Sequence, residues 1–302
     1  MADGANGPDT TKDGPAIRLG HLYPDQLNMY GDRGNIITLR RRCEWRGIAL
    51  HVTPLDCGEP LDPAAFDLLF IGGGQDKEQS EVARDLRKVK GAALHSAVAD
   101  GMPLLAVCGG YQLLAHGYRP AEGPELPGAG IFDAMTIHFG KRVARCIGNI
   151  ALDIASPVVG ASGGRSAAGE SSASSAGEHL DLGVRTLVGF ENHGGRTYLG
   201  PDVRPLGRVL AGHGNNSEDG FEGAVYRHAF GTYLHGSLLP KNPHFADHLV
   251  RLALERRYGA EEATRLITLL DDTEEWRAHN AMLARLGVLS ASSTTRQPAV
   301  RS

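Results

Sequence analysis

The sequence predicts an α/β fold: a central, mostly parallel sheet flanked by helices, with antiparallel strands added in the second half. Three observations predict it. Short, fully apolar runs such as Leu104 to Val107 alternate with helical patterns through the first part of the chain, as buried parallel strands and their crossover helices do. Two of those runs lead into paired or tripled glycines, Gly72-Gly73-Gly74 and Gly109-Gly110, which mark backbone brought close to something. Beyond Gly130 the apolar runs become shorter and the turns between them glycine-rich, which reads as antiparallel strands extending the sheet.

Residues 1 to 15 are polar and glycine-rich and are expected to be disordered. Ile17 to Tyr23 reads as the first strand. A polar, glycine-punctuated loop follows from Pro24 to Asn35, then a helix from about Ile36 to Arg46 with Gly47 as its cap. That loop reads first as one held by its own Asp and Asn side chains, with a pocket or partner-contact role left open. Ile48 to Pro54 and Phe66 to Ile71 are the second and third strands, and a helix over Ser80 to Asp100 leads to the fourth, Leu104 to Val107. The doubly wound pattern puts ligands at the carboxyl ends of the strands. Gly72 to Gly74 and Cys108 both fall there.

Shorter strands are expected at Met135 to Phe139, Cys146 to Ile154, Thr186 to Glu191, Arg196 to Leu199, Gly207 to Leu210, Gly223 to Arg227 and Ala229 to Leu234. Ser156 to Gly177, rich in Ser, Ala and Gly, reads as a flexible insertion. Asn242 caps a helix that runs to Tyr258, and a last helix covers Ala260 to Leu286, before a polar tail from Ser290. The expected organisation is one domain over 16–258, interrupted by an insertion at 156–177, with a helical extension and disordered tail over 259–302.

The 302 residues carry a net charge of -4 and 41% hydrophobic residues, so no electrostatic argument favours nucleic acid. The four cysteines include no C-x-x-C pair, which argues against a disulfide framework or structural zinc. No apolar run approaches the ~20 residues that span a bilayer, and the N-terminus has no apolar leader core. A cytoplasmic setting is the expectation.

Cys108 stands where the fourth strand bends into a helix at Gly109-Gly110. A helix start carries partial positive charge and free N–H groups, which lower a thiol pKa. The Gly109 N–H is placed to bind an oxyanion, and the Gly72 to Gly74 turn is a source of a second such donor. These features favour a nucleophile over a buried inert thiol. A thiol nucleophile needs a proton shuttle. Among 13 histidines, His235 in Gly231-Thr232-Tyr233-Leu234-His235-Gly236 is chosen because it also follows an apolar strand and precedes a glycine. His193, in Glu191-Asn192-His193-Gly194-Gly195, is the rival, able equally to shape the pocket or hold a loop. His21, His116 and His138 read as structural, and Asn215 to Gly220 as a turn. Arg142 has the chemistry to bind an α-carboxylate bidentately, although from sequence alone it reads as a surface charge.

From Ile17 to about Tyr258 the chain resembles the GatD family, within the cobyric-acid-synthase-like class I glutamine amidotransferases. The resemblance rests on Leu22-Tyr23-Pro24-Asp25, Asn28 to Asn35, Gly72 to Asp76, Cys108-Gly109-Gly110-Tyr111-Gln112, Glu191 to Gly195 and Gly231 to Gly236. It implies the flavodoxin-like amidotransferase fold. It also implies that Cys108 attacks the side-chain amide of L-glutamine and His235 moves the protons. Gly73, Gly74 and Gly109 surround the oxyanion, and Arg142 falls where the family binds glutamine. The ammonia would pass to a MurT-like ligase partner that holds ATP and Mg and amidates D-glutamate in membrane-bound lipid II. The chain has no G-x-x-x-x-G-K-[ST] loop of its own. Many relatives place Glu two residues after the histidine, where this chain has Ser237. The third triad member is then missing, elsewhere in this chain, or on the partner, and the partner is the source hypothesised. The alternatives to this reading are a glutaminase serving another ATP-dependent amidation, such as a corrinoid's, a cysteine hydrolase of similar fold, and a non-catalytic scaffold for a ligase.

Overall fold

The computed structural model describes residues 14–27, 32–74, 76–154, 184–235 and 238–288. The chain runs β1 (Ala16–Leu22), α1 (Arg33–Glu44), β2 (Ala49–Leu55), β3 (Leu68–Ile71), α2 (Asp76–Asp85), α3 (Gly91–Ala99), β4 (Leu104–Val107) and α4 (Gly109–Leu114). It continues through β5 (Gly117–Arg119), β6 (Leu126–Pro127), β7 (Ala134–His138), β8 (Cys146–Asp153), β9 (Thr186–His193), β10 (Gly195–Leu199) and β11 (Gly207–Ala211). After β12 (Phe221–Glu222), β13 (Ala224–Tyr226) and β14 (Ala229–Thr232) come α5 (Leu238–Lys241), α6 (Pro243–Tyr258), α7 (Ala260–Leu266) and α8 (Thr273–Arg285). Among the described residues no helix is long and apolar enough to cross a membrane.

Six strands form the central sheet in the order β2-β1-β3-β4-β14-β13. The first five are parallel and β13 closes the edge antiparallel to β14. Every residue of β3 and β4 is buried, which is why both read as unbroken apolar runs rather than alternating ones. At the other edge β2 is largely exposed and carries Pro54, a residue tolerated there because an edge strand has N–H positions with no ladder partner. The strand order reverses between β1 and β3. Such a switch point opens a crevice beyond the carboxyl ends of the strands. Gly72, Cys108 and His235 lie within three residues of the carboxyl ends of β3, β4 and β14, and Asp32, which precedes α1, reaches Gly73 at the same end.

The second half departs from expectation in one respect. Among the described residues only β13 and β14 extend the central sheet, and β14 joins it parallel to β4. The other strands form two four-stranded sheets of their own, β10-β7-β5-β6 and β12-β11-β8-β9. Gly194 alone separates β9 from β10, yet the two belong to different sheets: β9 pairs with β8 and β10 with β7.

Two helix expectations also change. The last helix is broken into α7 and α8, because Asp271 accepts hydrogen bonds from the N–H and hydroxyl of Thr273 (3.1 and 2.6 Å) and starts a new helix there. Asn242 does not cap α6 with its side chain. Instead its amide bonds both the N–H and the C=O of Val188 on β9, at 2.9 and 2.7 Å. The first 13 residues, the 156–177 insertion and the tail from Ser290 lie outside the described residues.

Candidate active site

Cys108 adopts φ +48°, ψ −106°, a left-handed conformation that a cysteine reaches only where its surroundings impose it. Its N–H donates to Thr232 O at 2.8 Å, continuing the β4–β14 ladder past the last strand residue. Its C=O accepts from Gln112 N–H and so begins α4. The thiol is therefore held at the bend, 7% exposed.

The two glycines after it are sterically required. A Cβ on Gly110 would stand 2.7 Å from Gly72 O, the carbonyl that accepts the Gly110 N–H at 3.0 Å. A Cβ on Gly109 would stand 2.9 Å from Gly74 N. The first turn of α4 is thus packed directly on the Gly72 to Gly74 turn, and any side chain would separate them.

Gly73 is the meeting point of the site. A Cβ there would lie 3.1 Å from the Cys108 Cβ, 3.2 Å from Asp32 Oδ2 and 3.3 Å from His235 Cε1. The Gly73 N–H donates to Asp32 Oδ2 at 2.7 Å. His235 Nδ1 stands 3.7 Å from Asp32 Oδ1, and both side chains are buried. Burial opposes a charged ring on His235. The negative charge available at Cys108 and the bonds and charge from Asp32 outweigh it, so the pKa is pushed up to about 10. The ring thus keeps its proton at neutral pH, beside a nucleophile, at a backbone turn rich in N–H groups. That combination suits attack on a carbonyl and protonation of a leaving group.

A CobB/CobQ-like glutamine amidotransferase domain matches residues 18–243. The chain belongs to that family. The amidotransferase is 40% identical over 241 residues to the GatD subunit of lipid II isoglutaminyl synthase from Staphylococcus aureus, covering 80% of this chain and 86% of that protein. The GatD subunit of Streptococcus pneumoniae is 36% identical over 245 residues, covering 81% and 83%. A cobyric acid synthase from Pelotomaculum thermopropionicum is 33% identical over 215 residues, but these are only 35% of that longer protein.

Of the residues singled out in the sequence, the structure brings Cys108, His235, Gly73, Gly74 and Gly109 together. Gly73 brings a complication, since its N–H is already given to Asp32. Arg142 sits in a 3-10 turn after β7, exposed, and among the described residues makes no hydrogen bond or ion pair. His193 lies elsewhere: its ring stacks on Tyr233 at 3.6 Å, Nδ1 donates to Gly195 O at 2.8 Å, and Nε2 faces Glu191 at 3.8 Å. It shapes the wall behind Tyr233. His21 packs edge-on to Phe70, His116 pairs with Asp133, and His138 Nδ1 accepts from the Gly140 N–H.

Several residues of the amidotransferase site were not visible in the sequence. Gln79 Nε2 donates to Gln112 Oε1, Gln112 Nε2 donates to the Tyr233 hydroxyl, and that hydroxyl bonds Thr197 at 2.6 Å. The chain of bonds fixes the two residues that flank the elbow and the histidine loop. Glu222, on β12, accepts from the Tyr233 N–H at 2.7 Å and the Thr232 hydroxyl at 2.8 Å, clamping the segment that delivers His235. No local pattern marks Gln79 or Glu222.

Burial pushes the Glu222 carboxyl up to about 7, despite those donors, with nearby Glu191 adding to the rise. Between pH 4.5 and 7 the folded chain therefore holds a proton that the unfolded chain has released. Stability is then highest on the acid side of this window and falls as pH rises through it. Glu222→Gln is expected to remove this dependence and to exceed the wild type above pH 7, by on the order of 3 kcal/mol at most. Urea midpoints at pH 5 and pH 8 check it. A wild-type stability that rises across that window by as much contradicts it.

Proposed function

We propose that this chain is the glutaminase subunit of a lipid II isoglutaminyl synthase. It releases ammonia from L-glutamine and delivers it to a MurT-like ligase subunit, which amidates the α-carboxyl of D-glutamate in lipid II. One observation carries the chemistry: Cys108 and His235 meet at Gly73, at the switch point of the sheet. The acceptor rests on the identity with two GatD subunits over most of both chains. The corrinoid reading has weaker support, because the chain spans about a third of the cobyric acid synthase it resembles.

In this reading the protonated His235 ring stands beside Cys108, whose Sγ attacks the carboxamide carbon as the thiolate. The oxyanion is met by the N–H of Gly109 at the start of α4 and by the N–H of Gly74. Gly73 forms the floor, because its own N–H serves Asp32. The tetrahedral adduct collapses, the ring returns its proton to the departing nitrogen, and ammonia leaves. Water then attacks the thioester with the now neutral ring as base, giving glutamate and regenerating the thiol. Arg142, exposed and unengaged among the described residues, holds the α-carboxylate. ATP and Mg belong to the ligase.

The test is reconstitution with the co-expressed ligase, lipid II, ATP, Mg and glutamine. Glutamate release and lipid II amidation are expected in equal amounts. Cys108→Ala stops both with glutamine but keeps amidation when ammonium chloride replaces it. Arg142→Ala is expected to lower kcat/KM for glutamine by about 10- to 100-fold, mostly through KM. Glutamate release with no amidated lipid II would move the acceptor elsewhere. Neither release nor complex formation would overturn the reading and favour the hydrolase.

A further inference from the structure

We infer that Gln79 is a positioning residue for the oxyanion hole: its side-chain amide holds the turn so that the Gly74 N–H meets the reacting carbonyl, and ties that turn to the elbow helix. This rests on the glutaminase reading for the identity of the substrate, but not for the geometry.

Three consecutive glycines leave each peptide of the turn free to rotate unless something outside the turn holds it. The Gly72–Gly73 peptide is held at both ends. Gly72 O accepts the Gly110 N–H at 3.0 Å, and the Gly73 N–H donates to Asp32 Oδ2 at 2.7 Å. The Gly74 N–H, in the next peptide, has no partner among the described residues. Beyond it, Gly74 O accepts from Gln79 Nε2 at 3.2 Å. The peptide that carries the second oxyanion donor is therefore bracketed by two fixed ones, and Gln79 supplies the bracket on the α2 side. The same Nε2 lies 2.9 Å from where a Cβ on Gly109 would stand. One amide thus lies against the glycine of each donor.

The direction of that amide is imposed. Gly74 O can only accept, so Gln79 must turn its NH2 toward it. The second hydrogen of the NH2 reaches Gln112 Oε1 at 3.3 Å, which turns the Gln112 NH2 to the Tyr233 hydroxyl at 3.2 Å. That hydroxyl, having accepted, donates to Thr197 at 2.6 Å, and Thr197 donates to Thr136 at 2.7 Å. One carbonyl of the oxyanion turn thereby sets the direction of a buried relay that holds Tyr233, two residues before His235. Gln79, 1% exposed, is the link between the turn and the relay.

Gln79→Met, in the complex with the co-expressed ligase, tests this. Methionine keeps the length of the side chain and removes both N–H donors. Two reagents separate positioning of the oxyanion donor from general damage to the site. p-Nitrophenyl acetate acylates Cys108 through an oxyanion: the acetyl group passes to Sγ and p-nitrophenolate leaves. Iodoacetamide alkylates the same Sγ with loss of iodide and forms no oxyanion. The rates of Cys108→Ala are subtracted from both. We expect acylation to fall about 10- to 100-fold and alkylation to stay within about twofold. Glutamate-release kcat should fall by the same factor as acylation, with KM within about threefold. Gln79→Leu repeats the test if the methionine variant does not fold. Selective loss of acylation, in a complex whose wild type releases no glutamate, would uphold the positioning role and remove the glutaminase reading. Acylation that is unchanged, or that falls together with alkylation, overturns the inference.

Discussion

Cys108→Ala is expected to lower glutamate release by about 10⁴-fold or more, to the background of the buffer, in the complex as in the isolated chain. The reason is geometric as well as chemical. Of the described cysteines, Cys108 is the one that meets His235 at Gly73: Cys43 is inside α1, Cys146 begins β8 in a separate sheet, and Cys57 follows β2 at the edge of the central sheet. Alanine meets the same left-handed strain at φ +48° as cysteine does, so the melting temperature should stay within a few degrees. His235→Ala should cost nearly as much activity, and the double variant no more than either single one, because the two act as a unit. Glutamate assays on the three variants check this. Additive losses in the double variant would mean that the two side chains work in separate steps.

Arg42→Ala is expected to give the largest loss of stability of any single polar substitution in the chain. The guanidinium is buried and forks to two carboxylates. It bonds Asp247 on α6 through Nε and Nη2 at 2.6 and 2.7 Å, and Asp272 before α8 through Nη1 and Nη2 at 2.6 and 2.9 Å. These bonds raise its pKa further despite burial, so it stays charged at any pH. Arg46 also grips Asp247, at 2.9 and 2.7 Å, and partly compensates it, but Asp272 is left without this cation. Removing one member of such a buried set costs about 3–5 kcal/mol, which for a chain this size lowers Tm by on the order of 10 °C. Because α1 starts immediately after Asp32, the same variant should also lose glutaminase activity before it unfolds. A Tm within about 2 °C of wild type would show that the cluster is incidental.

The parts of this fold legible in the sequence are those set by local pattern. The β4–Cys108–α4 bend is marked by an apolar run, a reactive side chain and two glycines in succession, and the structure follows it residue for residue. His235 was readable because it too ends a strand. The contacts of Asp32 were not, because they follow from β1 lying beside β3 and from the chain past β14 reaching back to both. A polar loop after a strand gives no sign of which distant N–H or ring it will meet, and its Asp and Asn were read as self-stabilising when their bonds go to Gly73 and Leu239. Gln79 and Glu222 were hidden for the same reason. The second-half strands were recognised one by one, but their pairing into two separate sheets is a long-range property that alternation does not encode.

The most direct test of the central claim is to treat the chain, alone and co-expressed with the proposed MurT-like ligase, with an electrophilic diazoketone analogue of glutamine and to map the adduct by peptide mass spectrometry. The account predicts a single adduct on Cys108, blocked by excess L-glutamine and slowed in His235→Ala. An adduct on another residue, or labelling of Cys108 that glutamine does not block, would contradict it.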